Sequence, residues 1–259
     1  MHTFHPPTRR SIHLFPLASL LALWLTATAP ARADAPAGPA KKVAIDAPHG
    51  LKVSVKMIGP AGQATDLQVI CVLKHDPAPG ADKYAGAMTE LNDRLGGMLA
   101  SLRERGEFAG DLGETLLFTP PTGTIAPKRM LLVGVGPEAG LTVDTLRLVG
   151  RIAARETVRL GVAHASFAPA LRDQGSTRVD VGEGDGAMVE QFVLAYDTER
   201  RLQAQGLAPK AEVTSLTIEA GPSYFEAAAA KVKAAVAAAA AQVQSRSSAN
   251  LAKEAPRAH

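Results

Sequence analysis

The sequence predicts an α/β fold, a sheet with helices on its faces. Three observations carry that expectation. Dense apolar runs, LQVICVL at 67–73 and RMLLVGV at 129–135, suit strands covered on both sides. Stretches with helical periodicity stand between such runs, the clearest at 88–102 and 142–160. Strand-like and helix-like segments alternate along the chain with no internal repeat, the arrangement of a layered α/β domain.

The N-terminus reads as a leader. MHTFHPPTRR is polar and ends on Arg9 and Arg10, an apolar run follows from Leu14 to Ala29, and ARA at 31–33 supplies a small-x-small exit. That order is the order of an export signal, with cleavage between Ala33 and Asp34. The run is short for a spanning helix, which needs about 20 apolar residues, so no membrane anchor is expected after cleavage. TRRSIH resembles a twin-arginine start only loosely, because His13 stands where an apolar residue is usual. Residues 1–33 are therefore set aside, and the expected location is periplasmic or secreted.

Charge follows from that division. Three of the 28 basic residues, Arg9, Arg10 and Arg32, precede the expected cleavage position, and all 25 acidic residues follow it, which leaves 25 of each. A balanced chain is no electrostatic footprint for nucleic acid, and none is expected as a partner. The one cysteine, Cys71, lies inside an apolar run and reads as a small core residue, so stability has to come from packing.

Along the chain, residues 34–48 read as a flexible lead and 49–222 as the folded domain. LKVSVKMI at 51–58 alternates as a half-buried strand does. Met88, Leu91, Leu95, Met98, Leu99 and Leu102 fall on one helical arc, which predicts one helix over 88–102, locally weakened by Gly96 and Gly97. ETLLF at 114–118 and RMLLVGV are strands joined by a proline-rich turn. Thr142 is a helix cap with Asp144 in the first turn, and that helix runs to about Leu160. GVAHASFAPAL at 161–171 holds another strand. RDQGSTRVDVGEGDG at 172–186 reads as a loop, Ala187 to about Gln203 as a helix, and VTSLTIEAG at 213–221 as the last strand. Residues 223–244 form an alanine-rich helix whose Phe225, Val232, Val236 and Val243 mark a narrow seam needing a partner surface, either its own domain or another chain. Residues 245–259 read as a disordered tail.

Several motifs bear on chemistry. LLVGVGPEAG at 131–140 has glycines after a strand, but Pro137 removes an amide and Glu138 places a negative charge where phosphate would sit, so a tight turn explains it better. Arg147, Arg151, Arg155 and Arg159 recur every four residues on one helix face, either a docking surface for an acidic partner or a solvated face. The histidines beyond the leader show no metal-ligand spacing, and no G-x-S-x-G occurs. GEGDG at 182–186 has the composition of a calcium loop without its spacing. No catalytic, metal or cofactor-binding residue is assigned, and no cofactor is expected.

GEFAGDLGETLLFTPPTGTIAPKRMLLVGVG at 106–136 resembles the N-terminal domain of the leucyl aminopeptidase family, the cytosol-type metallo-aminopeptidases. MTELNDRLGGMLASLRERGEF, LTVDTLRLVGRIAARETVRLGV, VEQFVLAYDTERRLQAQ and VTSLTIEAG resemble that domain's further elements in the same order, so the likeness covers roughly residues 50 to 240. It implies a macrodomain-like mixed sheet sandwiched between helices. In that family two divalent metals sit in a separate C-terminal domain whose N-T-D-A-E-G-R stretch is absent from this sequence, and a two-metal hydrolase needs fixed ligands of that kind. The expectation is an exported, non-catalytic module with an interaction or regulatory role, partnered by another protein or by itself through the seam or the arginine face. The alternatives are a metallo-aminopeptidase part complemented by a separate catalytic chain, and a macrodomain-like binder of a small ligand.

Overall fold

The computed structural model describes residues 41–74 and 84–246. The leader, its cleavage position at Ala33 and Asp34, and nearly all of the tail lie outside the described residues. Seven strands, β1 (Lys42–Asp46), β2 (Lys52–Lys56), β3 (Leu67–Val72), β4 (Thr115–Phe118), β5 (Met130–Gly134), β6 (His164–Ala168) and β7 (Ser215–Glu219), make one mixed sheet in the order β1-β2-β7-β6-β3-β5-β4. The five inner strands run parallel, and β1 and β4 close the edges antiparallel. Every residue of β3 and β5 is buried, as continuous apolar runs require when helices cover both faces.

The lead is shorter than expected. KVAID at 42–46 pairs with β2 as an edge strand, with Val43 and Ile45 packed against the core. Its alternation over five residues is the reason: the two apolar side chains gain burial once β2 offers a ladder.

The helical arc at 88–102 is two helices, α1 (Gly86–Arg94) and α2 (Met98–Glu104). Gly96 and Gly97 turn the chain between them at φ 66° and 82°, a region that favours glycine. Asn92 Oδ1 accepts from the Ala100 amide at 3.1 Å, satisfying one of the amides exposed by the break. The apolar arc survives the break: Met88, Leu91, Leu95 and Leu99 are all buried against Ile70, Val72, Met130 and Leu132 of the sheet.

The opposite face carries α3 (Val143–Arg159), α4 (Val181–Ala204) and α5 (Phe225–Ser245). Thr142 caps α3 in a reciprocal box with Thr145, both bonds 3.3 Å. Residues 181–186, expected in a loop, are the first turns of α4, capped by Asp180 through the Glu183 amide at 3.0 Å. Helix propensity argues against three glycines there, but packing requires them. A Cβ on Gly182 would stand 3.0 Å from the Ala227 carbonyl of α5, and one on Gly184 would stand 2.7 Å from Leu146 of α3. The glycines let α4 lie close to both neighbours. Phe225, Val232 and Val236 are buried and Val243 packs beside them, so the seam's partner surface is the chain's own domain, chiefly α4 with β1 and β2. Among the described residues no helix is long and apolar enough to cross a membrane.

Candidate functional site

A cavity of about 490 Å³ opens at the carboxyl ends of β2, β6 and β7. Crevices of an open parallel sheet occur at this edge, where successive crossovers leave to opposite faces. Here the chain leaves β3 toward α1 on one face and leaves β6 toward α4 on the other. Met57–Pro60 after β2, Pro169–Asp173 after β6 and Ala220–Pro222 after β7 form the walls, closed by the starts of α1 and α4 and by Tyr224. Most of that lining is apolar, with Met57, Ile58, Leu171 and Val179 among it.

The rim is tied to the sheet. Gln174 donates to the Cys71 carbonyl at 2.9 Å and to the Ala170 carbonyl at 3.1 Å, and accepts from the Leu73 amide at 3.0 Å. Ala170 itself is held at φ 51°, a strained conformation for a non-glycine residue that the surrounding bonds must enforce. Arg172 donates to the carbonyls of Ser176 (2.6 Å) and Val179 (3.0 Å), so its guanidinium braces the loop.

Four acids line the cavity, and they divide into two kinds. Asp173 and Asp180 serve helix ends. Asp173 accepts from the Ala87 amide of α1 at 3.0 Å, and Ala85 donates to the Asp173 carbonyl at 2.7 Å. A Cβ on Gly86 would stand 2.6 Å from the Asp173 carboxylate, so glycine is needed for that approach as well as for its φ of 46°. Burial pushes the Asp173 carboxyl above its usual range despite these amides.

Asp185 and Glu219 are different. They are 1% and 6% exposed, and none of their four carboxyl oxygens meets a hydrogen-bond partner. Burial pushes Asp185 well above the usual carboxylate range, with the Asp180 charge adding to it. Burial pushes Glu219 up to about 8. The polar side chains of Gln68 and Ser166, close enough to favour the carboxylate by hydrogen bonding, and the Lys56 charge pull the other way, yet neither side chain forms a well-aligned bond to Glu219 and Ser166 donates to Gln68 instead. Those two residues belong to a polar row across the sheet, Ser54, Thr217, Ser166 and Gln68, set by strand register one step below Glu219. At neutral pH Glu219 therefore favours its protonated form, which makes it a hydrogen-bond donor as well as an acceptor, and Asp185 is shifted in the same direction.

The residues singled out in the sequence lie elsewhere. Arg147 and Arg159 pair with Asp144 and Glu156 of their own helix, Arg151 donates to Gln191 of α4 at 2.9 Å, and Arg155 is exposed. Cys71 is fully buried, and burial pushes its thiol up. The glycines of LLVGVG serve the backbone: the Gly134 and Gly136 amides donate to the carbonyls of Glu114 and Gly110, and a Cβ on Gly134 would stand 2.1 Å from the Asp111 carbonyl. Glu114 of the GDLGET stretch clasps the amides of Ala109, Gly110 and Asp111 at 2.7–3.3 Å, a structural use of that signature. Among the described residues no three His, Cys, Asp or Glu side chains gather as metal ligands. The acids of the cavity belong to no motif singled out in the sequence as catalytic; the available signals were a glutamate ending an apolar strand in SLTIE and an aspartate inside GEGDG.

Comparison with known proteins matches residues 74–203 to the cytosol aminopeptidase family, N-terminal domain. A probable cytosol aminopeptidase of Microcystis aeruginosa is 34% identical over 126 residues, which are 48% of this chain and 24% of that protein. A tomato leucine aminopeptidase mutant superposes with a TM-score of 0.53 at 20% identity, over 73% of this chain and 36% of that one. The Oceanobacillus iheyensis macrodomain with ADP superposes with a TM-score of 0.54 at 12% identity, over 77% of this chain and 99% of that one. At such identities the structural likeness is one of fold, and the fold is macrodomain-like. The chain spans about a quarter of the length of the curated relatives it matches.

Proposed function

The chain belongs to the cytosol aminopeptidase family through that family's N-terminal domain, and from that premise we propose that it acts as a small-ligand-binding, regulatory module. The supporting observation is the cavity of about 490 Å³ at the carboxyl edge of the sheet, which holds two buried carboxyl groups without partners. Its size and largely apolar lining with a few convergent polar groups are those of small-molecule sites. A protein of the same fold is described with ADP, which makes nucleotides one ligand class to test. The experiment is calorimetric and thermal-shift titration of the full chain with nucleotides, amines and neutral aromatics, beside Gly59→Leu. Gly59 lines the cavity, and its nearest neighbour in the Cβ direction is the Ala87 Cβ, 4.0 Å away, so leucine there fills the space. Binding that Gly59→Leu abolishes supports the reading; a chain that binds no class of probe overturns it.

A second reading is favoured by the named activity of the relatives. In it this module docks on a separately encoded aminopeptidase chain and modulates its activity. Adding the pure protein to such a catalytic chain would then change peptide turnover, and unchanged turnover with no complex on size exclusion would defeat the idea. The leader-like start supports export in either case, to be checked by sequencing the mature N-terminus for Asp34.

A further inference from the structure

We propose that the cavity at the ends of β2, β6 and β7 selects an organic cation, an amine carried on an apolar body, over phosphate-bearing ligands. The inference rests on the ligand-binding reading above and names the chemistry that such a site would accept.

Charge in the lining is one-sided. Asp173, Asp180, Asp185 and Glu219 face a single basic lining residue, Arg172, whose guanidinium is anchored to two backbone carbonyls. An anion would enter a partly dehydrated space beside the Asp180 charge, while burial holds Asp185 and Glu219 toward their uncharged forms, so nothing in the lining but Arg172 offsets its loss of hydration. The usual attraction of a helix start for phosphate is also taken. Asp173 already accepts from the first turn of α1, and Gly86 brings the two into contact. The protein supplies its own anion at the position where a ligand phosphate would gain most.

The unpartnered oxygens point to the complementary class. Buried polar groups in folded proteins are paired almost without exception, so Asp185 and Glu219 mark a deficit of donors. An ammonium brings three donors and a positive charge, and its arrival favours the ionised carboxyl. Glu219, pushed up to about 8 by burial, then gives up its proton, so the bond formed is ammonium to carboxylate and the proton goes to buffer. The apolar walls from Met57, Ile58, Pro60, Leu171 and Val179 accept the body that carries the amine.

Three probes with one aromatic body separate the possibilities: phenethylamine, the uncharged 2-phenylethanol and the anion 3-phenylpropionate, with ADP as a fourth. On the full chain at pH 7 the amine should bind at least ten-fold more tightly than the other three. Calorimetry in buffers of differing ionisation enthalpy should show close to one proton released per amine bound. Glu219→Gln and Asp185→Asn, each checked for an intact melting transition, should cut amine affinity about ten-fold, a larger loss than either causes for phenylethanol. Tighter binding of ADP or phenylpropionate than of the amine would overturn the cation inference while sparing the ligand-binding reading. Equal affinity for amine and alcohol, or no proton release by the unmodified protein, would also overturn it. Silence toward all four, and toward the wider panel, would remove both.

Discussion

Glu219 stands at the last position of β7, where the strand leaves the core and its carboxyl finds no donor. In the unfolded chain it loses its proton near 4.5, and in the folded protein it keeps it to about 8. Between those values the folded state binds more protons, so raising the pH favours unfolding. The stability is fully present below the unfolded value and is lost as the pH climbs through the folded one. A shift of that size corresponds to a loss on the order of a few kcal/mol across the window, and Asp185 adds to it in the same direction. Urea unfolding at pH 5 and pH 8.5 should therefore show the unmodified protein losing much more stability than Glu219→Gln. Parallel losses in the two proteins would place the titration elsewhere. This acid was within reach of sequence reasoning, since glutamate is an odd ending for an apolar strand. What the string of letters lacks is the neighbours: Ser166, Gln68 and Lys56 come from three other strands.

Among the elements, α3, α4 and α5 form one closely spaced layer. Gly150 of α3 shows how close: a Cβ there would stand 2.3 Å from the Met188 carbonyl of α4. Backbone cannot yield as a side-chain tip does, so Gly150→Ala must push the helices apart. The expected cost is about 1–3 kcal/mol, although alanine is the better helix former. Gly140 meets nothing nearer than Pro137 at 4.0 Å and has ordinary φ, so Gly140→Ala should stay within about 0.5 kcal/mol. Chemical denaturation of the pair would check this, and equal effects would mean that the α3–α4 approach tolerates widening. The same packing explains why VGEGDG reads as loop in the sequence and is helix in the protein. Local propensity spoke for a loop, and the gain from close approach outweighed it. At Gly96 and Gly97 the reverse happened: the weak point visible in the sequence became a real break.

Across the whole molecule, α5 completes the domain rather than leading away from it. Phe225 is 1% exposed and Val236 2%. Its far end is held where Asp197, buried on α4, accepts from Arg246 at 2.6 Å and from Arg201 at 2.9 Å and pairs with His49 Nε2 at 2.8 Å. Burial alone would raise the Asp197 carboxyl, but these partners hold it below its usual range. One carboxylate thus joins the turn before β2, the middle of α4 and the residue that ends α5. Val236→Asp would set an unpaired charge into this packing and should cost at least about 3 kcal/mol, read as a lowered melting temperature with exposed apolar surface. An unchanged transition would show that α5 does not seat on the domain.

Apart from β1 and the break between α1 and α2, strand and helix order, the cap at Thr142 and the apolar arcs were readable from local pattern, because burial on one face imposes a period on the chain wherever it occurs. The family likeness was readable for the same reason, since GDLGET and RMLLVGVG are contiguous. The cavity was not readable. Its walls come from residues 57–60, 86–87, 146, 168–173, 179–181, 184–185, 219–222 and 224, and no local pattern records that they meet. Nor does any local pattern say that the alanine seam would be spent on its own domain, or that Asp185 and Glu219 would be buried without donors. Burial, proximity and the resulting charge states are properties of contacts between distant segments, and those exist only once the sheet has assembled.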